Sequence, residues 1–149
     1  MRKTLKLFDV NLLVYAARQE MNQHAQAREW FESLVNSGEA FGFSELVASG
    51  FVRVVTNART FKIPTTLEQA CGVVESLYSA PNCIRILSGQ QHWSIFSRLL
   101  KETAIIGPRV SDVYHAALAI EHDCVWCSAD SGFKRFVGLK WENPLDTIE

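Results

Sequence analysis

The stretch that decides the fold is Leu5-Lys6-Leu7-Phe8-Asp9-Val10-Asn11. It begins as a short apolar run, typical of a buried strand, and the run stops at an acid, Asp9. Residues 11–19 are then predicted to form the first helix. Strand and helix segments alternate in this way along the rest of the chain. This alternation predicts an α/β fold with three layers, in which a central parallel sheet has helices on both faces.

The sheet is predicted to contain four to five strands. After the first strand we place others at residues 40–43, 83–87, 124–128 and, as a short edge strand, 139–141. Helices are predicted at residues 23–37, 45–57, 66–79, 90–103 and 111–122, with one helical turn near residues 132–136. Asn22 and Ser44 are the predicted N-caps of the second and third helices.

Length and composition indicate one globular domain spanning residues 1–149. The chain is 48% hydrophobic and 21% charged, with a formal net charge of −1. Near-neutral charge neither supports nor excludes a nucleic-acid partner. No stretch approaches the ~20 apolar residues that span a bilayer. The basic start, Met1-Arg2-Lys3-Thr4, is followed by an apolar run that Asp9 and Asn11 interrupt, so we expect no secretory signal and a cytoplasmic protein.

Four acids lie where a strand ends or a helix begins: Asp9, Glu45, Asp112 and Asp130. The helix starting at Asp112 and the strand returning to Asp130 cover similar distances, so both acids should reach the same edge of the sheet. Ligands of open α/β folds bind beyond the carboxyl ends of the strands. Clustered carboxylates need a cation, and oxygen ligands suit Mg²⁺ or Mn²⁺. The sequence therefore predicts a metal site.

The alternative for these acids is helix capping, because acids favour helix N-termini. Capping accounts for Asp112 or Glu45 taken alone, but it accounts poorly for Asp9, which follows an apolar strand. The other twelve acids are expected on helix surfaces or ends, in turns, at an edge or in the tail; they are Glu20, Glu29, Glu32, Glu39, Glu68, Glu75, Glu102, Glu121, Asp123, Glu142, Asp146 and Glu149.

Cysteine and histidine give no competing site. Cys124 and Cys127 form a C-x-x-C pattern, which we interpret as two small residues of a buried strand, since zinc would need a second close ligand pair. His115 lies in an apolar helix and is expected to be a packed histidine or one that supports the site. His24, His92 and His122 are expected on helix exteriors.

Four segments resemble, in order, the motifs of PIN-domain nucleases, particularly the VapC-type toxins of bacterial toxin–antitoxin pairs. They are Leu7-Phe8-Asp9-Val10-Asn11, Ser44-Glu45-Leu46, Val110-Ser111-Asp112-Val113-Tyr114-His115-Ala116 and Cys127-Ser128-Ala129-Asp130-Ser131-Gly132-Phe133. The similarity runs nearly from end to end. The chain departs from the family pattern at one position, where Gly132 replaces a further acid that many relatives carry. This departure argues against a second metal site more than against the first.

The resemblance implies a Mg²⁺- or Mn²⁺-dependent endoribonuclease, a homodimer, and a small cognate antitoxin that blocks the site. By motif match, the four acids become the catalytic and metal-binding residues, and Asn11 and Ser128 support them. Arg109 and Arg135, each close in sequence to a site acid, are the best candidates for RNA phosphate contacts among a rim that also includes Arg53, Arg59, Lys62 and Lys134. The alternative is a catalytically silent PIN-like module that binds RNA or protein.

Overall fold

The opening segment forms the central strand of the sheet in the computed structural model, which describes residues 4–145. β1 (Lys6–Phe8) lies between β2 (Phe41–Ser44) and β4 (Val125–Cys127), while β3 (Cys83–Ile86) and β5 (Lys140–Glu142) form the edges. Every pairing in this sheet is parallel, in the order β3-β2-β1-β4-β5. The predicted α/β class is confirmed, with five strands.

The helices between these strands agree with the sequence prediction to within a few residues. They are α1 (Val10–Ala17), α2 (His24–Asn36), α3 (Glu45–Val55), α4 (Leu67–Tyr78), α5 (His92–Thr103) and α6 (Val110–Glu121), with 3-10 turns at Gly107–Arg109 and Ser131–Arg135. Two of the predicted tail acids, Asp146 and Glu149, and the basic residues 1–3 lie outside the described part of the chain.

One predicted cap is wrong. Ser44 caps α3 by accepting from the Val47 N–H, but Asn22 does not cap α2, where Gln23 occupies the N-cap position without a side-chain bond. The reason is local: the His24 N–H is already bonded to the Met21 carbonyl, 3.0 Å away. The preceding turn therefore satisfies a donor that a cap would otherwise serve.

Both faces of the sheet are covered, as a three-layer fold requires. Phe8 packs edge-on against Phe31 of α2, with ring centroids 4.8 Å apart. Trp126 of β4 stacks on His115 of α6 at 5.0 Å. Because Phe8 pairs in register with the residue after Trp126, these two side chains point to opposite faces of the sheet. The three-layer prediction is confirmed.

The strands pack closely enough that one position excludes a side chain. A Cβ built on Gly42 of β2 would collide with the Leu7 side chain and lie 2.9 Å from Ile86 Cγ1. Leu7 itself is fully buried. Gly42 therefore sets how closely the side chains of the neighbouring strands approach β2.

His92 differs from the sequence prediction. It was expected on a helix exterior, yet it is 5% exposed, and its Nε2 lies 3.2 Å from the Tyr114 carbonyl oxygen. Its ring also packs against Tyr114 and Phe96. The position is the first residue of α5, where the helix meets α6, and this helix pairing is not visible in the local pattern. No helix among residues 4–145 is both long and apolar enough to span a membrane.

Candidate active site

The site begins where β1 ends. Asp9 is the N-cap of α1, and one of its carboxylate oxygens accepts from the Val10 N–H at 2.7 Å. Its own N–H donates to the Cys127 carbonyl of β4. Asp9 is 9% exposed, and burial is the main cause that raises its pKa from 3.8 to about 6, with the nearby charges of Asp112 and Asp130 adding to the shift.

Ser128 joins the ends of β1 and β4. Its hydroxyl donates to Asp9 Oδ2 at 2.7 Å, accepts from Asn11 Nδ2 at 3.2 Å and accepts from the Asp130 N–H at 3.1 Å. One donor and two acceptor lone pairs are all that a serine hydroxyl has, so its capacity is fully used. These bonds connect Asn11 and Ser128 to Asp9 and Asp130, and their supporting role in catalysis stays a prediction.

Asp112 and Asp130 face each other across Arg109. Asp112 lies in the first turn of α6, and Asp130 caps the 3-10 turn that follows β4 by accepting from the Gly132 N–H at 2.8 Å. Arg109 Nε is 3.5 Å from Asp112 Oδ2, and Arg109 Nη2 is 3.7 Å from Asp130 Oδ2. Burial raises the pKa of Asp112, whereas the hydrogen bond and charge of Arg109 oppose that shift.

Glu45 is placed differently from the other three acids. It begins α3 directly after β2, as the sequence predicts, but its carboxylate turns toward Arg85 of β3, with Oε2 3.7 Å from Nη1. The Glu45 side chain is 54% exposed. The structure therefore brings Asp9, Asp112 and Asp130 together and leaves Glu45 paired with a neighbouring strand.

The two arginines proposed to bind RNA phosphate also lie near the acids. Arg109 contacts two of them directly, as described above. Arg135 lies in the last part of the 3-10 turn after Asp130, and its charge partly opposes the rise in the pKa of Asp112 that burial causes. Its guanidinium carbon lies 5.4 Å from the centre of the Phe136 ring. Positive charge is thus available beside the acids.

A cavity of about 450 Å³ opens beside Asp9. Asp9, Asn11, Asp112 and His115 line its polar end, and α1, α3 and the loop after α3 supply apolar walls and Arg53. Thr60 and Phe61 of this loop also line the cavity, which sequence reasoning missed. From this loop the sequence analysis considered only Arg59 and Lys62, as candidate phosphate contacts, and nothing in the residue spacing shows that Phe61 folds inward.

His115 is a packed histidine at the inner side of the cavity. It is 5% exposed, and burial lowers its pKa to about 4, so the ring is neutral at pH 7. Its Nδ1 has no hydrogen-bond partner, and the same holds for Nε1 of the stacked Trp126. The sequence prediction of a packed or supporting histidine agrees with this placement.

Cys124 and Cys127 are also buried, and burial raises the pKa of Cys124 to about 11. Such thiols are poor nucleophiles and poor metal ligands. This agrees with the structural interpretation of the C-x-x-C pattern, with Cys127 in β4 and Cys124 just before it.

The donor chemistry fits a hard divalent cation, although the side chains do not form a closed cage. Among residues 4–145, no three or more His, Cys, Asp or Glu side chains are arranged to hold a metal ion. Asp112 and Asp130 both pair with Arg109, and Glu45 pairs with Arg85 instead of facing the other acids. The donors themselves are carboxylate, amide and hydroxyl oxygens. Burial, with a smaller contribution from the charges of Asp112 and Asp130, raises the pKa of Asp9, and a bound cation would stabilise its ionised form.

The family follows from a comparison with known proteins. A family model described as PIN domain matches residues 6–139. The chain belongs to the PIN domain family. The earlier resemblance is confirmed at this level.

Individual relatives of the PIN domain family give the same result. Ribonuclease VapC43 of Mycobacterium tuberculosis is 42% identical over 138 residues, covering 93% of this chain and 94% of the relative. Ribonuclease VapC33 of the same species is 34% identical over 137 residues, covering 92% and 96%. The structure of VapBC2 from Rickettsia felis, bound to a DNA fragment from their promoter, has a TM-score of 0.67 at 20% identity, covering 93% of this chain and 98% of that one. At this identity the solved structure supports the fold alone.

Proposed function

We propose that this PIN-domain chain is a metal-dependent endoribonuclease, and that it is the toxin of a toxin–antitoxin pair acting in the cytoplasm. The observation that carries the proposal is the meeting of Asp9, Asp112 and Asp130 at the carboxyl edge of the sheet. Similarity over nearly the whole chain to a protein named Ribonuclease VapC43 supports the same reading. Hydrolysis of RNA phosphodiester bonds is the proposed reaction.

Mg²⁺ or Mn²⁺ is the proposed cofactor. Asp9 and Asp112 would hold the ion, with Glu45 and Asp130 helping to bind it or to accept a proton through water. A bound ion of this kind lowers the pKa of its water and offsets charge that develops on phosphoryl oxygens. Asp9 is suited to this task because Ser128 and the Val10 N–H fix its carboxylate in one orientation.

Substrate binding is proposed along the cavity beside Asp9. Arg109 and Arg135 would contact RNA phosphates, since such contacts come mostly from arginine and lysine. Arg53 lines the same cavity. The apolar walls suit an unstacked base more than a duplex, because side chains reach RNA bases mainly in single-stranded loops and ends.

We also propose a small cognate antitoxin that blocks this site, and a homodimeric toxin. The Rickettsia felis protein of the same fold, VapBC2 bound to a DNA fragment from their promoter, supports a paired partner. Cleavage in the cell would then depend on how much of the toxin is free of its antitoxin. A neighbouring reading frame for a small DNA-binding protein is the expected genetic sign.

A second candidate is a catalytically silent module that binds RNA or protein. It is favoured by one observation: Arg109 already pairs with both Asp112 and Asp130, and no acid stands at position 132. Such a module would bind RNA without cutting it. RNA cleavage therefore distinguishes the nuclease from the silent binding module.

The test uses purified protein and total RNA. We expect discrete new 5′ ends with Mg²⁺ or Mn²⁺, and none with EDTA or with Asp112→Asn. Sequencing 5′ ends after brief induction in cells should identify the same RNA positions. If total RNA stays intact with every divalent ion while the protein still binds RNA, the silent module is correct.

A further inference from the structure

Arg109 occupies a position inside the acid cluster. It is an arginine of the 3-10 turn just before α6, and its guanidinium bridges Asp112 and Asp130 through Nε and Nη2. Each contact uses Oδ2 of the carboxylate. Arg109 therefore pairs with two of the three acids, whereas Asp9 is bonded to the Ser128 hydroxyl and the Val10 N–H.

Gly132 leaves the space that the guanidinium fills. A Cβ built on Gly132 would lie 3.1 Å from Arg109 Nη2 and 3.0 Å from Asp130 Oδ1. Both distances are tighter than ordinary side-chain contacts, so a side chain here would require the end of Asp130 or Arg109 to shift by a few tenths of an ångström. The absent side chain and the bridging arginine are thus two parts of one arrangement.

The charges of the cluster balance with one arginine and one divalent ion. Asp9, Asp112 and Asp130 together carry three negative charges when ionised, and Glu45 is paired separately with Arg85. A single divalent ion together with the guanidinium of Arg109 supplies three positive charges. A second divalent ion would leave an excess of positive charge at close range, which is unfavourable.

We propose that Arg109 takes the place of a second metal ion, so that this chain binds one divalent ion between Asp9 and Asp112. This inference rests on the proposed function and specifies its metal content. Arg109 is here a fixed cation that positions Asp112 and Asp130.

Metal binding tests this without relying on activity. Mn²⁺ would be titrated into four full-length proteins: the wild type, Gly132→Asp, Arg109→Gln and the double variant Arg109→Gln/Gly132→Asp. Calorimetry and the electron paramagnetic resonance signal of free Mn²⁺ would count the bound ions. Arg98→Gln is the matched control, because Arg98 forms an exposed pair with Glu102 on α5.

We expect one ion per chain in the wild type, in the control and in Gly132→Asp, where the new acid pairs with Arg109. The double variant should bind two. Arg109→Gln alone should bind its first ion roughly tenfold more tightly, the size of a typical coupling between two sites, and Arg109→Lys should stay near the wild type.

The inference is overturned if the wild type binds two ions. It is also overturned if the folded double variant binds one ion with the affinity of the wild type. Either result leaves the proposed nuclease function intact. If the double variant does not fold, the affinity of Arg109→Gln decides: an affinity equal to that of the wild type overturns the inference. No binding by any variant would overturn both this inference and the metal-dependent function.

Discussion

The Ser128 hydroxyl donates a hydrogen bond of 2.7 Å to Asp9 Oδ2, although the two residues are 119 positions apart in sequence. Ser128 follows β4 and Asp9 follows β1, and these two strands are neighbours in the sheet. From β1 the chain continues to β2 and β3 on one side, and from β4 it continues to β5 on the other. Such a point is where open α/β sheets bind their ligands. The bond therefore fixes the proposed metal ligand at the position where the topology favours a site.

Ser128→Ala should destabilise the protein and raise the pKa of Asp9 above about 6, because the lost hydrogen bond favours the ionised form. An unsatisfied buried carboxylate costs about 1–3 kcal/mol. Urea denaturation at pH 8 would measure the free energy of unfolding, and NMR titration of the Asp9 carboxyl would measure its pKa. Ser79→Ala, which removes an exposed bond to the Ser76 carbonyl, is the control and should have little effect. An unchanged Asp9 pKa would contradict the role assigned to Ser128.

Asp9 also predicts how stability varies with pH in the metal-free protein. Its carboxyl ionises near pH 4 when unfolded and near pH 6 when folded, so stability falls as pH rises from about 4 to about 6 and then stays level. A pKa difference of about 2 corresponds to ~3 kcal/mol. Asp9→Asn, which mimics the protonated acid, should therefore be more stable than the wild type at pH 7.5 in EDTA. The difference should vanish near pH 4, and urea denaturation across this range would measure it.

Adding Mn²⁺ should reverse that order. The wild type gains stability from the ion at pH 7.5, whereas Asp9→Asn loses a ligand and gains little. If the difference in free energy of unfolding between the two proteins stays constant from pH 4 to pH 8, the pKa of Asp9 is not raised in the folded protein. If Mn²⁺ leaves that difference unchanged, Asp9 is not a ligand of the ion.

Glu45 should matter less than the other acids, because its carboxylate pairs with Arg85. Glu45→Gln is expected to lower the RNA cleavage rate by less than about tenfold, below the roughly 10–100-fold loss typical for a group that orients a metal ligand. The rate should be compared with that of Asp112→Asn in the same preparation. Equal losses would mean that Glu45 leaves Arg85 and binds the ion directly.

Two glycines give a matched pair for stability. Gly42→Ala should destabilise the fold by about 3 kcal/mol, because the new methyl group collides with Leu7 in the core. Gly72→Ala should stabilise it by about 0.5–1 kcal/mol, since Gly72 lies in α4 with nothing within 4 Å of an added Cβ. Thermal and urea unfolding of both variants would measure this. Destabilisation by Gly72→Ala would show that α4 packs more closely than described.

The sequence predicted the fold well because its signals are local. Apolar runs such as Leu5-Lys6-Leu7-Phe8 and caps such as Ser44, which accepts from the Val47 N–H, define elements without reference to the rest of the chain. The site was predictable in part for the same reason, since Asp9, Asp112 and Asp130 each stand at the end of an element.

What the sequence did not show depends on contacts between distant elements. Glu45 meets Arg85 only because β3 lies beside β2, and His92 is buried only because α5 packs on α6. The bridge from Arg109 to Asp130 likewise needs the turn after β4 to fold back over the start of α6. Nothing in the spacing of these residues specifies such contacts.

The most direct test of the account is the cleavage rate of one end-labelled RNA by four proteins at saturating Mn²⁺: the wild type, Asp9→Asn, Asp112→Asn and the control Glu102→Gln, whose acid pairs with Arg98 on an exposed helix surface. We predict that the wild type and the control cut at the same rate, and that each Asp→Asn variant is at least ~100-fold slower, since ligands should matter no less than the groups that orient them. Cleavage by folded Asp9→Asn or Asp112→Asn at the wild-type rate would contradict the claim that these carboxylates hold the catalytic ion.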